Sequence, residues 1–291
     1  MQKNQPIGIL DSGLGGLTVV KEIIKQLPNE RLIYVGDTAR CPYGPRSAEE
    51  VREFTLEIVN FLLKQNVKSI VIACNTATAY ALNAVRDHVK IPVIGVIRPG
   101  SIAAVRTSLQ GRIGVIGTVG TIGSGAYQDS LRELTAGELN ANGPITPHVV
   151  CLACPTLVPL VEEEHLYSEK EKQKIVEEAL APLKGKELDS LILGCTHYPL
   201  ITEYIQKTVG EEIKLISSAE ETAKQLAAIL ADLGMLNDEE NNSDISVAGS
   251  ENQYYTTGDA NLFKQVGERW LDAEIAVKHI ELTQLNGQGE I

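Results

Sequence analysis

The chain has 291 residues, 43% apolar and 22% charged, an ordinary globular composition that excludes disorder along its whole length. Lys and Arg number 26 against 38 Asp and Glu, a formal charge of −12, which disfavours a protein that tracks a nucleic-acid backbone. The opening, MQKNQPIGILDS, does not read as a signal peptide, and no apolar run approaches the roughly 18 residues of a membrane span.

Short β-branched runs alternate with longer helical patterns. The first run, 7–10, ends at Asp11-Ser12-Gly13-Leu14-Gly15-Gly16, and a helix is expected over 17–26. The second, 32–35, leads through Cys41-Pro42-Tyr43-Gly44 to Ser47-Ala-Glu-Glu50, a capping-box pattern that opens a helix over 48–65. A third run, 70–73, ends at Cys74-Asn75-Thr76, with a helix over 77–89 and a strand at 93–96 behind it. The rhythm then restarts with a strand at 113–116 ending at Gly117-Thr118-Val119-Gly120-Thr121, a helix over 127–134 and a strand at 148–152. Ser168-Glu-Lys-Glu171 opens a helix over 169–183, and the strand at 191–193 ends at Cys195-Thr196-His197. A helix over 200–208, a strand at 214–216 and a helix over 220–233 follow. The acidic and Asn-rich stretch 236–250 reads as a solvated loop, and Phe263, Val266 and Trp270 recur at helical spacing behind it, as a face packing on the body would.

Continuously apolar strands alternating with helices predict an α/β protein with a parallel sheet covered on both faces. The two halves also match each other. Ser47 lies 27 positions before Cys74, and Ser168 lies 27 before Cys195. The next strands open at Ile91 and Ile213, which are 17 and 18 positions past the cysteines. The expectation is two similar domains, each a mostly parallel sheet flanked by helices, with a cysteine at the carboxyl end of an equivalent strand.

Ligands of open α/β sheets bind beyond those carboxyl ends. Asp11–Gly16 does not match GxGxxG and no P-loop occurs, so the glycines are expected to let the backbone approach a small ligand. Asp11 also suits a helix N-cap. Five cysteines, an odd number at spacings unlike a disulfide framework, point to a reducing compartment and so to a soluble cytoplasmic protein. A lone strand-end cysteine usually acts as a small apolar residue. Two at equivalent places, each expected at a helix N-terminus that lowers its pKa, suit a thiolate base facing a thiol acid. Such a pair can remove a proton from one face of a carbon and return one to the other; a disulfide between the halves is the rival reading. His197 can relay the proton of Cys195, and Glu162 is the member of Glu162-Glu-Glu-His165 best placed to face a cleft. Tyr43 and Gly44 can line the same cleft. Cys151 and Cys154 read as buried structural residues, and Cys41 as loop packing.

The strings Gly8-Ile-Leu-Asp-Ser-Gly-Leu-Gly-Gly-Leu17, Cys41-Pro-Tyr-Gly44, Ile72-Ala-Cys-Asn-Thr-Ala77 and Leu193-Gly-Cys-Thr-His-Tyr-Pro-Leu200 resemble those of the glutamate racemases, in the same order and spacing. The resemblance extends to Thr256-Thr-Gly-Asp259 and so covers nearly the whole chain. It implies racemisation of glutamate without a cofactor or metal, supplying D-glutamate for peptidoglycan, in a cleft between two domains. It places the first domain at residues 1–97 plus 212–291 and the second at 98–211. It implies that Cys74 and Cys195 carry the proton transfer, Asp11 assisting Cys74, and Glu162 and His197 assisting Cys195. Asp11, Ser12, Tyr43, Gly44, Asn75, Thr76, Thr118, Thr121, Thr196 and His197 would hold the substrate. A homodimer is also expected, with no nucleic-acid or membrane partner. Two other readings stay open on sequence: racemisation of aspartate or another acidic amino acid, and a two-lobed binding module that performs no chemistry.

Overall fold

The computed structural model describes residues 3–136, 139–140, 143–144, 147–237 and 252–285. The first half runs β1 (Ile7–Asp11), α1 (Leu17–Gln26), β2 (Leu32–Gly36), α2 (Ala48–Lys64), β3 (Ser69–Ile72), α3 (Asn75–His88), β4 (Val93–Gly95) and α4 (Ile97–Thr107). Next come β5 (Arg112–Gly117), α5 (Val119–Gly123), α6 (Ala126–Thr135), a small hairpin of β6 (Leu139–Asn140) and β7 (Gly143–Pro144), β8 (His148–Ala153) and α7 (Leu157–Glu162). They are followed by α8 (Glu169–Leu180), β9 (Ser190–Gly194), α9 (Thr202–Val209), β10 (Lys214–Ser217) and α10 (Ser218–Asp232). The chain closes with β11 (Gln253–Thr256), α11 (Ala260–Leu271), β12 (Val277–His279) and α12 (Leu282–Leu285).

Both capping boxes form. The Ser47 hydroxyl accepts from the Glu50 amide and the Glu50 carboxylate accepts from the Ser47 amide, at 3.2 and 3.1 Å. Ser168 and Glu171 repeat the exchange at 3.4 and 2.8 Å. A cap of this kind is worth about 1 kcal/mol, enough to fix where a helix starts.

The main strands make two sheets. The larger has the order β12-β11-β2-β1-β3-β4 and the smaller β10-β9-β5-β8, with every pairing in them parallel. Helices cover both faces, which is why the central strands β1, β2, β3 and β9 are buried along their whole length. In β1, Ile7 and Ile9 join one core and Leu10 the other; in β5, Ile113 and Val115 separate from Ile116 in the same way. Each such side chain contributes about 1.5–3 kcal/mol on burial.

The chain stays with the smaller sheet longer than expected. Lys214–Ser217 pairs with β9, past the crossover expected near residue 212, and α10 then runs back along α1 and α4. The β6–β7 hairpin and two strands of the larger sheet went unforeseen. β11 adds in parallel to β2 and β12 to β11, extending the larger sheet to its edge. The helical spacing of Phe263, Val266 and Trp270 becomes α11, with Phe263 buried and the other two half-buried. The loop expected at 236–250 lies outside the described residues from 238 onward.

Register aligns the strand ends. Asp11 pairs with Gly36 across β1 and β2, and Leu10 with Ile72 across β1 and β3, so Asp11 and Cys74 leave the larger sheet on the same edge. Gly117 pairs with both Gly194 and Ala153, which brings Thr118, Cys195 and Cys154 to one edge of the smaller sheet. Side chains from the two edges meet.

Candidate active site

On the larger sheet's side, Asp11 is fully buried and its Oδ2 accepts from the Gly13 amide at 3.0 Å. Cys74 caps α3: its Sγ accepts from the Ala77 amide at 3.4 Å and lies 3.6 Å from Ser12 Oγ. A free helix N-terminus thus points at this sulfur, as the sequence predicts.

On the smaller sheet's side the expectation changes. No α-helix starts at Cys195; a 3-10 turn, Tyr198–Ile201, follows it. This turn, with Pro199 near its start, stands between Cys195 and α9, which begins at Thr202. Cys195 is partnered instead by a side chain, with His197 Nδ1 3.7 Å from its Sγ. His197 Nε2 lies 3.2 Å from Glu162 Oε1, at the end of α7. Thr196 Oγ1 donates across the gap to Asp11 Oδ1 at 3.4 Å.

More bonds join the two sides. Thr76 Oγ1 lies 2.9 Å from Thr118 Oγ1 and 3.1 Å from Thr121 Oγ1. Tyr127 donates to Asn75 Oδ1 at 2.7 Å, and the Gly120 amide donates to the Gly44 carbonyl at 2.8 Å. Gly44 is close-packed: a Cβ there would sit 2.7 Å from the Thr118 Cβ. Asn75 Nδ2 is buried without a partner, a donor of the kind that suits a carboxylate. Tyr43 is the expected residue whose side chain points elsewhere. Its hydroxyl donates to Asp37 and its ring packs on Phe54 at 5.7 Å between centroids. Among the described residues no cluster of three or more His, Cys, Asp or Glu side chains is arranged to hold a metal.

The electrostatics are unequal. Burial and then the Asp11 carboxylate push Cys74 up to about 12, against the Ala77 amide and Ser12; Cys195 itself is among the groups that raise it. The expected lowering by the helix N-terminus is therefore present but outweighed, because the sulfur is out of water beside an anion. Burial also raises Asp11, opposed by His197 and by the amides of Gly13 and Gly16. Burial disfavours the His197 imidazolium, yet its bonds to Cys195 and Glu162 hold it up at about 10. Glu162 is likewise pushed up by burial and pulled further down by His197, ending below its usual value.

A raised cation stabilises the fold fully below its ordinary value of 6.5, and that contribution is lost as pH climbs through about 10. The melting-temperature gap between the native chain and His197→Gln should therefore be largest near pH 6 and close as pH approaches 10. Thermal melts across that range measure it, and a gap that persists at alkaline pH would deny the imidazolium.

The sequence pattern of the Asp/Glu/Hydantoin racemases matches residues 7–226. The chain belongs to this racemase family. It is 47% identical over 283 residues to a glutamate racemase of Bacillus cereus, covering 97% of this chain and 99% of that one. The crystal structure of a glutamate racemase isoform from Bacillus anthracis superposes with a TM-score of 0.88 at 47% identity, covering 97% of this chain and 99% of the other. A glutamate racemase of Francisella tularensis, solved in complex with D-glutamate, gives 0.83 at 34% identity with the same coverage.

Within this racemase fold, two residues near the site went unassigned on sequence. Trp270 of α11 stands edge-on to His197, 6.5 Å between ring centroids, and contacts cores of both sheets. Cys41, expected as loop packing, reaches Glu162 instead. Neither has a signal that points to the site, because each comes to it from an element whose position only the tertiary fold sets. No helix among the described residues is long and apolar enough to cross a membrane.

Proposed function

We propose that this chain interconverts L- and D-glutamate by passing the α-proton between Cys74 and Cys195, and so supplies D-glutamate for peptidoglycan. The observation that carries the mechanism is the pair of buried sulfurs, Cys74 and Cys195, carried at strand ends of two sheets whose edges are bonded to each other through Thr196 and Asp11 and through Thr76, Thr118 and Thr121. Glutamate is a dianion with one ammonium group, and its α-hydrogen is a very weak acid. Removing it needs a desolvated thiolate and fixed donors for the carboxylates. Ser12, Asn75, Thr76, Thr118, Thr121, Thr196 and the backbone of Tyr43 and Gly44 supply them.

Cys74, pushed up by burial and Asp11, fits the thiol of the pair, and the raised His197 imidazolium stands beside Cys195. Cys195 takes the α-hydrogen from one face and Cys74 S–H returns one to the other. The two sulfurs end with exchanged protons, which is the state that accepts the opposite enantiomer. Asp11 acts beside Cys74, and Glu162 holds His197. The two domains are proposed as residues 1–97 with the chain from α10 onward, and 98–217, the second boundary moved to keep β10 with its sheet. A cytoplasmic homodimer belongs to the same reading; the five free thiols suit a reducing compartment.

Circular dichroism of L-glutamate and L-aspartate solutions incubated with the protein tests the substrate. Loss of the L-glutamate signal should be faster by at least about tenfold, since a site that pairs a second carboxylate penalises a shorter chain. Equal rates, or faster loss of L-aspartate, would favour the broader acidic racemase.

A further inference from the structure

Cys41 is a third thiol at this site, and neither the proton transfer nor the packing of the loop accounts for its contact. Its Sγ donates to Glu162 Oε1 at 3.4 Å, the same oxygen that meets His197 Nε2 at 3.2 Å. Cys41 belongs to the loop after β2 of the larger sheet, and Glu162 to the smaller sheet's α7. A chain of contacts therefore runs from the larger sheet through Cys41, Glu162 and His197 to Cys195.

The loop is braced to hold that thiol in place. The buried Asp37 carboxylate accepts from Arg40 Nε at 2.7 Å, from Thr257 Oγ1 at 2.8 Å and from the Tyr43 hydroxyl. Arg40 also pairs with Glu57 at 2.5 Å and stacks over the Phe54 ring at 4.0 Å. The Asp37 amide donates to the Asp11 carbonyl at 3.0 Å, tying the loop to the strand end that carries Asp11. The Glu162 side chain, by contrast, is 32% exposed and ends a six-residue helix with no side-chain cap. Left to itself it can turn towards water. Burial and the nearby Glu162 and Asp11 carboxylates push the Cys41 thiol well up, so it stays protonated and donates.

We infer that Cys41 is a positioning residue: its S–H bond holds Glu162 on His197 and so keeps the imidazole aimed at Cys195. This rests on the two-thiol reading above. Cys41 touches neither sulfur by hydrogen bond and takes no proton from the substrate. Its effect falls on the Cys195 half of the reaction alone.

That asymmetry has its own signature. Enantiomers have equal free energy, so kcat/KM must fall equally in both directions in any variant. Primary isotope effects need not. When the Cys195 step slows, α-deuterated substrate whose deuterium Cys195 removes reacts with a larger isotope effect. The opposite enantiomer loses its label at Cys74, in a step now less rate-limiting, and its effect shrinks.

The test compares Cys41→Ala and Cys41→Ser with the native chain on α-deuterated L- and D-glutamate. Cys41→Val replaces Cys41→Ala if the latter does not fold, since it fills the space without donating. The expected result is a loss of kcat/KM of about fivefold in Cys41→Ala, with the two isotope effects moving apart, and recovery of both in Cys41→Ser, which keeps a donor. Isotope effects that stay as in the native chain, or move together, overturn the inference. So does a Cys41→Ser protein that behaves as Cys41→Ala. Failure of the underlying reading looks different: the native chain would not racemise glutamate, or Cys195→Ser would racemise it normally.

Discussion

Cys74→Ser and Cys195→Ser are each expected to lower the rate of glutamate racemisation by about 10²–10⁴-fold while leaving the fold intact. A serine hydroxyl is too weak an acid to exist as the oxyanion at neutral pH, so it can neither take the α-hydrogen nor complete the exchange. Both sulfurs are buried, and each bonds through sites that an Oγ can reach in part, so the change is conservative in volume. The double variant should be little worse than either single one, because each thiol is needed for the same turnover. The single variants should differ from each other in one respect. Cys74→Ser keeps Cys195 with its imidazolium and can still exchange the α-hydrogen of one enantiomer with solvent. Polarimetry of L-glutamate with each protein decides the matter, and native rates in either variant would remove that sulfur from the reaction.

Gly15→Ala should be nearly as damaging for a geometric reason. A Cβ at Gly15 would lie 2.4 Å from Thr196 Oγ1 and 2.6 Å from His197 Nδ1, both carried by the opposite sheet. Neither neighbour can yield easily. Thr196 is bonded to Asp11, and the His197 ring is held between Cys195 and Glu162. The extra methyl must therefore push the Cys195 loop away from the Asp11 loop. A displacement near 1 Å at a reacting centre costs about 10²-fold in rate. Since the clash lies between the sheets and not within either core, the melting temperature should fall far less than the activity. Steady-state kinetics with a thermal melt on the same sample measures both, and a Gly15→Ala protein of native activity would mean that the two loops do not approach as closely as this.

The sequence is readable where a local rule decides the outcome. Ser47 and Ser168 announce their helices because a capping box is completed within four residues. The strands of both sheet centres are legible because burial on two faces demands unbroken apolar runs. Equal spacing from cap to cysteine is enough to put Cys74 and Cys195 at matching strand ends. What was missed depends on neighbours distant in the chain. β11 and β12 are short edge strands of mixed polarity, and only the open flank of β2 makes them strands. The Tyr43 side chain turns inward because Asp37 offers a buried acceptor, which no local pattern reveals. The helix expected from residue 200 starts at Thr202, behind a 3-10 turn, and His197 takes over the partnering of Cys195 that a helix N-terminus was expected to provide. The pKa of Cys74 runs opposite to the expected direction for the same kind of reason: burial and Asp11 outweigh the amide of Ala77.

The central claim is that hydrogen leaves the α-carbon towards one sulfur and arrives from another. Incubating L-glutamate with the native protein in deuterium oxide, stopping at low conversion and separating the enantiomers reads this directly. With two bases, the D-glutamate formed carries deuterium at the α-carbon and the recovered L-glutamate carries almost none. Recovered L-glutamate as deuterated as the product would mean that a single base serves both faces.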